Sequence, residues 1–173
     1  VLAIAESPGP DEVQHGRPLV GRSGTEWNNS LFFSGHTRPD VDLDNVISCM
    51  PPGQASGAWR RLDRALDKLN RRRSKSGEDP YLHPAECCRP RLLDVASRYR
   101  KIITLGKTAT TAMTGQVSSI QSTRGGPMHI NDDWDWVPEN GTRKLLPTLH
   151  PSFILRAPSW RHVLHADIAK AFR

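Results

Sequence analysis

The sequence has few cysteines, few aromatic residues and no long apolar run. Its 3 cysteines are too few for a disulfide framework, or for a complete four-cysteine metal site within these residues. No apolar stretch reaches the roughly 18 residues of a membrane-spanning helix, and the opening Val1 to Ala5 lacks the charged flank of a signal peptide. We therefore expect no membrane association, and a location in the cytoplasm or on the nucleoid, with a virus-encoded protein inside an infected cell as the alternative.

The composition indicates one loop-rich, basic domain. A chain of 173 residues fits a single domain spanning 1–173, and its 14 prolines and 13 glycines indicate many loops. The net charge of +6 favours a polyanionic partner such as nucleic acid. The sequence begins without Met inside an apolar strand, so we expect that the N-terminus is truncated. We expect the protein to be a monomer.

Short apolar runs alternate with helical stretches along the chain. The predicted strands are Val1 to Ala5, Asn45 to Cys49, Lys101 to Leu105 and Lys144 to Leu149. The predicted helices are Thr25 to Phe33, Ala58 to Asn70, Ala85 to Tyr99, Lys107 to Thr114 and Trp160 to Phe172. This alternation predicts an α/β fold, a three-layer α/β/α arrangement with a central four-stranded parallel sheet. Ligands of such sheets bind beyond the carboxyl ends of the strands, where the polar and glycine-rich segments fall, so one pocket is expected to collect them.

Two segments differ from the rest of the chain. Residues 53–80 form a predicted basic insertion, an amphipathic helix with a flexible exit at Ser74 to Pro80. Such a helix is more often a solvated surface than a binding site, and the alternative is a contact with DNA or with an additional partner. Asn131 to Gly141 is interpreted as a hairpin-like excursion.

A glycine- and proline-rich loop follows the first strand. Residues Glu6 to Gly24 allow backbone amides to approach a ligand closely. The loop lacks the spacing and the lysine of a phosphate-binding loop, which argues against a nucleoside triphosphate site. Taken alone, it is equally well explained as a structural connection.

Asn45 and His150 are the other two candidates for chemistry. A side-chain amide has a donor and an acceptor side by side, as reading a nucleobase edge requires, although a lone Asn is more often a turn or capping residue. His150 is predicted at a strand end with a rigid proline behind it, where it can donate a hydrogen bond to developing negative charge. A histidine standing by itself is more commonly structural.

Together these motifs resemble the iron-sulfur uracil-DNA glycosylases, usually called family 4 of the uracil-DNA glycosylase superfamily. Five segments match in order, Glu6 to Gly9, Gly16 to Gly24, Asn45 to Pro52, Leu105 to Ala109 and Pro147 to Arg156. The resemblance implies a base excision repair enzyme that flips uracil out of DNA, hydrolyses its N-glycosidic bond and leaves an abasic site. The implied partner is DNA containing uracil.

The resemblance also implies roles for individual residues. Asn45 would hydrogen-bond the Watson–Crick edge of uracil, and a neutral His150 would donate to the uracil oxygen as negative charge grows there. Glu6 would position or activate the water, although other superfamily enzymes place that carboxylate one residue later, at Ser7. The implied substrate-binding residues are Ser7, Pro8, Gly9, Leu19 and Asn45. The implied DNA-binding residues are Arg22, Ser152, Phe153, Leu155 and Arg156.

The family's metal centre is matched in part. Cys49 and Cys88 match two of the four thiolates that hold a [4Fe–4S] cluster, with Cys87 as the alternative to Cys88. The other two ligands come from a Cys-x-x-Cys upstream of the first strand in the family, and that pair is missing from this chain. The resemblance implies a structural cluster in the full-length protein, and the alternative is three reduced thiols without metal.

Departures from the family pattern keep two alternatives open. Leu19 stands where the family has the Phe that stacks on uracil, with Phe32 or Phe33 as candidate substitutes, and the basic insertion separates Cys49 from Cys88 more widely than usual. One alternative is a catalytically weakened domain on the same fold that binds DNA or a partner. The other is an enzyme for different deaminated bases, such as hypoxanthine or xanthine.

Overall fold

The computed structural model describes residues 1–50, 58–115, 117, 119–128 and 144–173, so the predicted excursion at Asn131 to Gly141 lies outside the described residues. The strands are β1 (Leu2–Ala5), β2 (Asp42–Asn45), β3 (Lys101–Leu105) and β4 (Lys144–Thr148). They form a 4-stranded parallel sheet in the order β2-β1-β3-β4. The helices are α1 (Pro10–His15), α2 (Arg22–Phe33), α3 (Ala58–Lys75), α4 (Pro84–Ser97), α5 (Gly106–Thr114), α6 (Ile120–Thr123), α7 (Pro151–Ile154) and α8 (Arg161–Ala171).

The sheet is covered by apolar side chains on both faces. Successive strand residues point to opposite faces, so Ala3 and Ile103 join Trp27, Leu31 and Ile168 of α2 and α8 in one cluster. The other face is filled by a second cluster from α3, α4, α5 and the alternate strand positions, which includes Leu2, Ile4, Trp59, Leu92, Ile102, Met113 and Leu145. The predicted three-layer α/β/α fold is confirmed.

The second strand lies earlier in the chain than the sequence pattern predicted. β2 ends at Asn45, whereas the prediction began a strand there, because β2 is an edge strand with exposed and half-buried residues and therefore lacks a continuous apolar run. The apolar pair Val46 and Ile47 is buried just beyond the strand, and its backbone amides donate to the carbonyl oxygens of Ala5 and Glu6 at 2.9 and 3.0 Å. Asn45 consequently stands at the carboxyl edge of the sheet.

The other predicted elements agree more closely with the structure. β3 has the predicted bounds, and α3 continues to Lys75, beyond the predicted end at Asn70. Among the described residues, no helix is both long and apolar enough to cross a membrane.

A buried ion pair supports the carboxyl end of β4. Asp167 of α8 is fully buried and accepts hydrogen bonds from Arg124 Nε and Nη2 at 2.6 and 2.5 Å and from Thr148 Oγ1 at 2.8 Å. The hydrogen bond to Asp167 raises the pKa of Arg124, which keeps the pair charged. Gly125 has a φ of +77°, and a Cβ there would lie 2.6 Å from Asp167 Oδ1, so the turn requires glycine. Thr148 is thereby fixed two residues before His150.

Candidate active site

A cavity of about 600 Å³, within the usual size range of small-ligand sites, opens at the carboxyl edge of the sheet. Glu6, directly after β1, and His150, after β4, both line it. Ser152, Phe153 and Arg156 line the same cavity. The sequence-based expectation that the loops following separate strands meet in one pocket is thus met for these residues.

His150 is held as a neutral hydrogen-bond donor. Its Nδ1 accepts from the backbone amide of Ser152 at 3.1 Å and lies 2.8 Å from Ser152 Oγ, so the proton of the neutral ring belongs on Nε2. Burial lowers the pKa of His150 to about 4, helped by the positive charge of Arg156 and opposed by the carboxylate of Glu12. One side of the half-buried ring still faces the cavity, and Nε2–H is the group available to a ligand.

Gly106 sets how closely β3 and His150 approach. It begins α5 directly after β3, has a φ of +85°, and a Cβ there would lie 3.2 Å from His150 Cβ. The left-handed conformation already favours glycine, and the close contact adds a second constraint that acts on the histidine itself. The sequence analysis included Gly106 in the matching segment Leu105 to Ala109 but did not predict its contact with His150.

Glu12 closes the loop that follows β1. Its carboxylate accepts from the backbone amides of Gly9 at 3.0 Å and Val20 at 3.1 Å, with Gly21 at 3.4 Å. A Cβ on Gly9 would lie 2.7 Å from Glu12 Oε2, so the closure depends on glycine at this position. Glu12 lies within the predicted loop Glu6 to Gly24, but sequence reasoning missed this function, because the partner amides eight and nine residues away leave no periodic signal.

Leu19 does not lie where the resemblance placed it. Its side chain is buried in the core cluster that includes Trp27, and it is not among the residues lining the cavity. Its backbone has a φ of +51°, and the Arg38 guanidinium holds the turn by donating to the carbonyl oxygens of Leu19, at 3.1 Å, and of Pro18. A Cβ on Gly24 would come within 1.9 Å of the Leu19 oxygen, so the turn packs directly on α2. In this conformation Leu19 cannot stack on a base.

Phe32 and Phe33 are wrong as substitutes for the missing aromatic side chain. Both are exposed, at 71% and 68%, and Phe33 stacks on His165 of α8. They lie at the far end of α2, which begins near the sheet's carboxyl edge and carries its last residues about 18 Å away. Phe153, packed edge-on against Trp160, is instead the aromatic residue that lines the cavity in the described part of the chain.

Asn45 lines a neighbouring depression rather than the cavity itself. That depression, of about 400 Å³, is also lined by Pro8, so it adjoins the segment that carries Glu6. Arg91 of α4 fixes the strand end by donating to the Asn45 carbonyl oxygen and to Asp44 Oδ2, both at 2.6 Å. The expectation that Asn45 converges with Glu6 and His150 in one cleft is not met in this structure.

The remaining predicted residues occupy varied positions. Ser7 Oγ accepts a hydrogen bond from the indole Nε1 of Trp59 at 2.8 Å, which ties the loop after β1 to α3. Arg22, the first residue of α2, is exposed, and Leu155 is half-buried. Gly9 is the N-cap of α1.

The cysteines do not form a recognisable metal centre by themselves. Cys49 and Cys87 are exposed and Cys88 is half-buried, and all are free thiols. Throughout the ranges that the structure describes, no group of three or more His, Cys, Asp or Glu side chains could hold a metal ion. Thiolates are nevertheless the donors that iron-sulfur clusters require, and Cys49 and Cys88 offer two of them.

Comparison with known proteins identifies the family. A model described as the uracil DNA glycosylase superfamily matches residues 1–170. A type-4 uracil-DNA glycosylase of Thermotoga maritima is 32% identical over 174 residues, which cover 99% of this chain and 75% of the relative. Those of Pyrobaculum aerophilum and Saccharolobus solfataricus are 26% and 29% identical over 178 residues, covering 99% and 98% of this chain and 76% and 68% of theirs.

The predicted resemblance is confirmed by these matches. Agreement that extends from the first strand into the last helix cannot depend on one motif, and the sheet order and the position of the cavity agree with it. This chain therefore belongs to the uracil-DNA glycosylase superfamily.

Proposed function

We propose that this protein is a DNA-repair glycosylase that hydrolyses the N-glycosidic bond of uracil in DNA and leaves an abasic site. The observation that carries the proposal is the meeting of Glu6 with a neutral His150 in one cavity at the carboxyl edge of the sheet. The relatives named type-4 uracil-DNA glycosylases, matched over almost the whole chain, support the same activity.

The leaving base sets the main chemical requirement. When the bond between C1′ of the sugar and N1 of uracil breaks, its electron pair goes to the base, and negative charge spreads to the uracil oxygens. A neutral donor stabilises that charge without losing a charge of its own, and Nε2–H of His150 is such a donor because Nδ1 is occupied by Ser152. We assign His150 to the uracil oxygen on this basis.

The second requirement is a water molecule at the sugar carbon. Cleavage leaves C1′ with cationic character, and a carboxylate beside it can both stabilise the cation and orient the attacking water. Glu6 lines the cavity opposite the end of β4 and is assigned this role. Ser7, one residue later, has its hydroxyl engaged by Trp59, which favours Glu6 over Ser7.

Asn45 is assigned to recognition of the base. Its amide can accept from the imide N–H of uracil and donate to a neighbouring carbonyl, whereas cytosine would mispair at a cost of about 1–3 kcal/mol. Support comes from its position at the end of β2, paired in register with Ala5 just before Glu6. Binding of the flipped base would have to join the depression of Asn45 to the cavity of His150. Pro8 and Gly9 lie in the loop between them.

The segment Ser152 to Arg156 is assigned to the DNA strand. Arg156 is exposed at the cavity and supplies a cation for a phosphate, and Arg22 is exposed on α2. Leu155 and Phe153 are the apolar side chains available to fill the space that a flipped nucleotide leaves. The protein is proposed to act as a monomer in the cytoplasm or on the nucleoid.

A [4Fe–4S] cluster is proposed as a structural element of the full-length protein. Cys49 and Cys88 would supply two thiolates, and two more would have to come from outside this sequence. Such a cluster would fix the loops that carry its ligands, and the hydrolysis requires no electron transfer. No catalytic step assigned above depends on it.

The test of the proposed function is the rate of uracil release. His150→Ala should lower the single-turnover rate on uracil-containing DNA by about 10² to 10³, with little loss of DNA binding, because the donor acts on charge that develops in the transition state. Asn45→Asp should lower the rate on uracil and reduce the preference for uracil over cytosine. If His150→Ala releases uracil as fast as an active parent, the role assigned to His150 is wrong. If the parent itself releases no uracil, a DNA- or partner-binding domain on this fold becomes the better hypothesis.

A further inference from the structure

Helix α3 carries most of its exposed positive charge on one side. Six of its basic residues are exposed and follow one another at spacings of three or four positions, except for one adjacent pair, namely Arg61, Arg64, Lys68, Arg71, Arg72 and Lys75. At about 100° per residue these side chains fall within an arc of about 100°, and from first to last they span about 21 Å. We call this set the cationic stripe.

The acidic residues of α3 are turned away from the stripe. Asp63 and Asp67 face the start of α4, where His83 Nδ1 and Nε2 lie 3.0 and 3.3 Å from their carboxylate oxygens. Arg73, a further basic residue of the helix, is on that same side, paired with Glu78 at 2.7 Å and lying over the ring of Tyr81. Most of the exposed basic side chains of α3 are therefore sorted onto one side of the helix, while its acidic side chains are engaged by His83.

This sorting argues against a merely solvated helix surface. A helix that only needs solubility gains from alternating acids and bases three or four residues apart, and like charges at that spacing repel each other. Along the described chain, no ion pair with an acidic side chain neutralises Arg64, Lys68, Arg71, Arg72 or Lys75. The stripe therefore keeps a repulsion that an external polyanion would relieve.

The stripe begins beside the candidate active site. Trp59 is buried in the core, and its indole donates to Ser7, the residue after Glu6. Leu62 also packs on the core, whereas Leu69, further along, is 41% exposed. A rigid helix of 18 residues anchored at its first turn reaches about 27 Å from that point. The cationic stripe consequently leads from the loop of Glu6 outward over the surface.

We propose that the cationic stripe binds the phosphates of the uracil-containing DNA strand on one side of the flipped nucleotide. Phosphates of one strand rise by about 3.4 Å each along the axis of duplex DNA and lie farther apart along the strand itself, so a stripe of about 21 Å can contact several of them. This inference rests on the proposed function and adds to it a contact that contributes affinity and not chemistry. It also predicts that the contact requires a strand long enough to reach α3.

Two charge-matched variants test the proposal. The stripe variant combines Arg64→Gln, Lys68→Gln and Arg71→Gln, and the control variant combines Arg100→Gln, Lys144→Gln and Arg173→Gln. The control residues are equally exposed but lie at the amino ends of β3 and β4 and beyond α8, away from the carboxyl edge. Both variants lose the same charge, and thermal unfolding checks that both fold like the parent.

Binding is measured on two fluorescent single strands, each with one central uracil, flanked by three or by twelve nucleotides per side. Each phosphate contact contributes about 0.7 to the slope of log affinity against log salt on single strands. On the long strand, between 50 and 200 mM salt, the parent should lose about 20-fold more affinity than the stripe variant. The control variant should match the parent, the short strand should not distinguish the three proteins, and rates at saturating enzyme should be equal.

The outcomes separate this inference from the proposed function. An unchanged salt slope in the stripe variant, or an equal change in the control variant, overturns the proposal even if the parent releases uracil normally. The parent could release no uracil while the stripe variant still shows a shallower dependence of DNA affinity on salt. That result would refute the glycosylase assignment and keep the stripe as a DNA-binding surface. If the stripe variant loses as much affinity for the short strand as for the long strand, a contact with the flanking phosphates is contradicted.

Discussion

The cavity of Glu6 and His150 and the hairpin formed by α3, residues 76–83 and the start of α4 are built in opposite ways. The cavity joins residues from nearly opposite ends of the chain and depends on burial, which holds His150 neutral. The hairpin is held by contacts between residues no more than 20 apart, most of them exposed. Buried hydrogen bonds give the fixed geometry that chemistry needs, whereas exposed charges give attraction that tolerates imprecise placement and is screened by salt. Three pairs of substitutions test this difference, and each pair has one member near the cavity and one in the hairpin.

The largest contrast is expected between the two Arg–carboxylate pairs. Asp167→Ala leaves Arg124 without its partner near the core and should lower the free energy of unfolding by about 3–5 kcal/mol. Glu78→Ala removes an exposed partner of Arg73 and should cost less than about 1 kcal/mol. Urea unfolding of both variants measures the difference. Equal losses of unfolding free energy would show that the ion pair beneath β4 contributes no more to stability than the exposed pair of the hairpin.

Two glycines with left-handed backbones give the next contrast. Gly106→Ala and Gly77→Ala should each lose about 1 kcal/mol of stability, since both positions have a positive φ, of +85° and +73°. Only Gly106 has His150 beside it, while nothing lies within 4 Å of a Cβ at Gly77. Gly106→Ala should therefore also lower the single-turnover rate, by about tenfold, through displacement of His150. If both variants release uracil at the parent's rate, the contact with Gly106 does not position the histidine.

The smallest effects are expected from two histidines whose pKa values are shifted in opposite directions. Burial lowers the pKa of His150 to about 4, whereas the hydrogen bond with Asp63 raises the pKa of His83 above 6.5. Nitrogen-15 NMR of histidine-labelled protein should show His150 neutral, with its proton on Nε2, well below pH 6, while His83 stays protonated above pH 6.5. His150→Gln and His83→Gln identify the signals. A His150 that protonates near pH 6.5 would contradict its assigned role as a neutral donor.

These shifts also fix the signs of two stability changes. Because His150 binds its proton less readily in the folded protein, its contribution is complete above pH 6.5 and is lost as the pH falls through about 4. The raised pKa of His83 means that its contribution is complete below pH 6.5 and is lost as the pH rises through the folded value. The stability difference between the parent and His150→Gln should therefore be largest above pH 6.5 and shrink as the pH falls towards 4, whereas the difference between the parent and His83→Gln should be largest below pH 6.5 and shrink as the pH rises.

The sequence predicted elements best where burial produced a continuous apolar run. β1, β3 and β4 are central or well covered, and their predicted bounds agree within one residue. β2 is an edge strand that carries Asp42 and Asp44, so its pattern was weaker than that of the buried Val46 and Ile47 beyond it. Helix ends, which depend on local capping, were off by up to five residues at α3.

For the candidate site, sequence reasoning predicted that Glu6 and His150 meet, but not the contacts that support them. Glu6 and His150 could be placed together because both follow strands of one parallel sheet. The support from Glu12, Gly106 and Trp59 could not, because it comes from contacts between loops and helices that no sequence periodicity encodes. The burial of Leu19 likewise depends on a left-handed turn whose partner, Arg38, lies 19 residues away.

The order of the strands has a consequence for the protein while it is being synthesised. The ribosome delivers Glu6 with the first strand, but His150 follows β4, which joins the sheet through its pairing with β3. Contacts between such distant residues form late, since the intervening chain must first be ordered. A nascent chain therefore exposes its carboxylate loop for most of translation without its histidine donor. Excision activity would appear only when the last strand docks, and its onset during cell-free translation would time the completion of the fold.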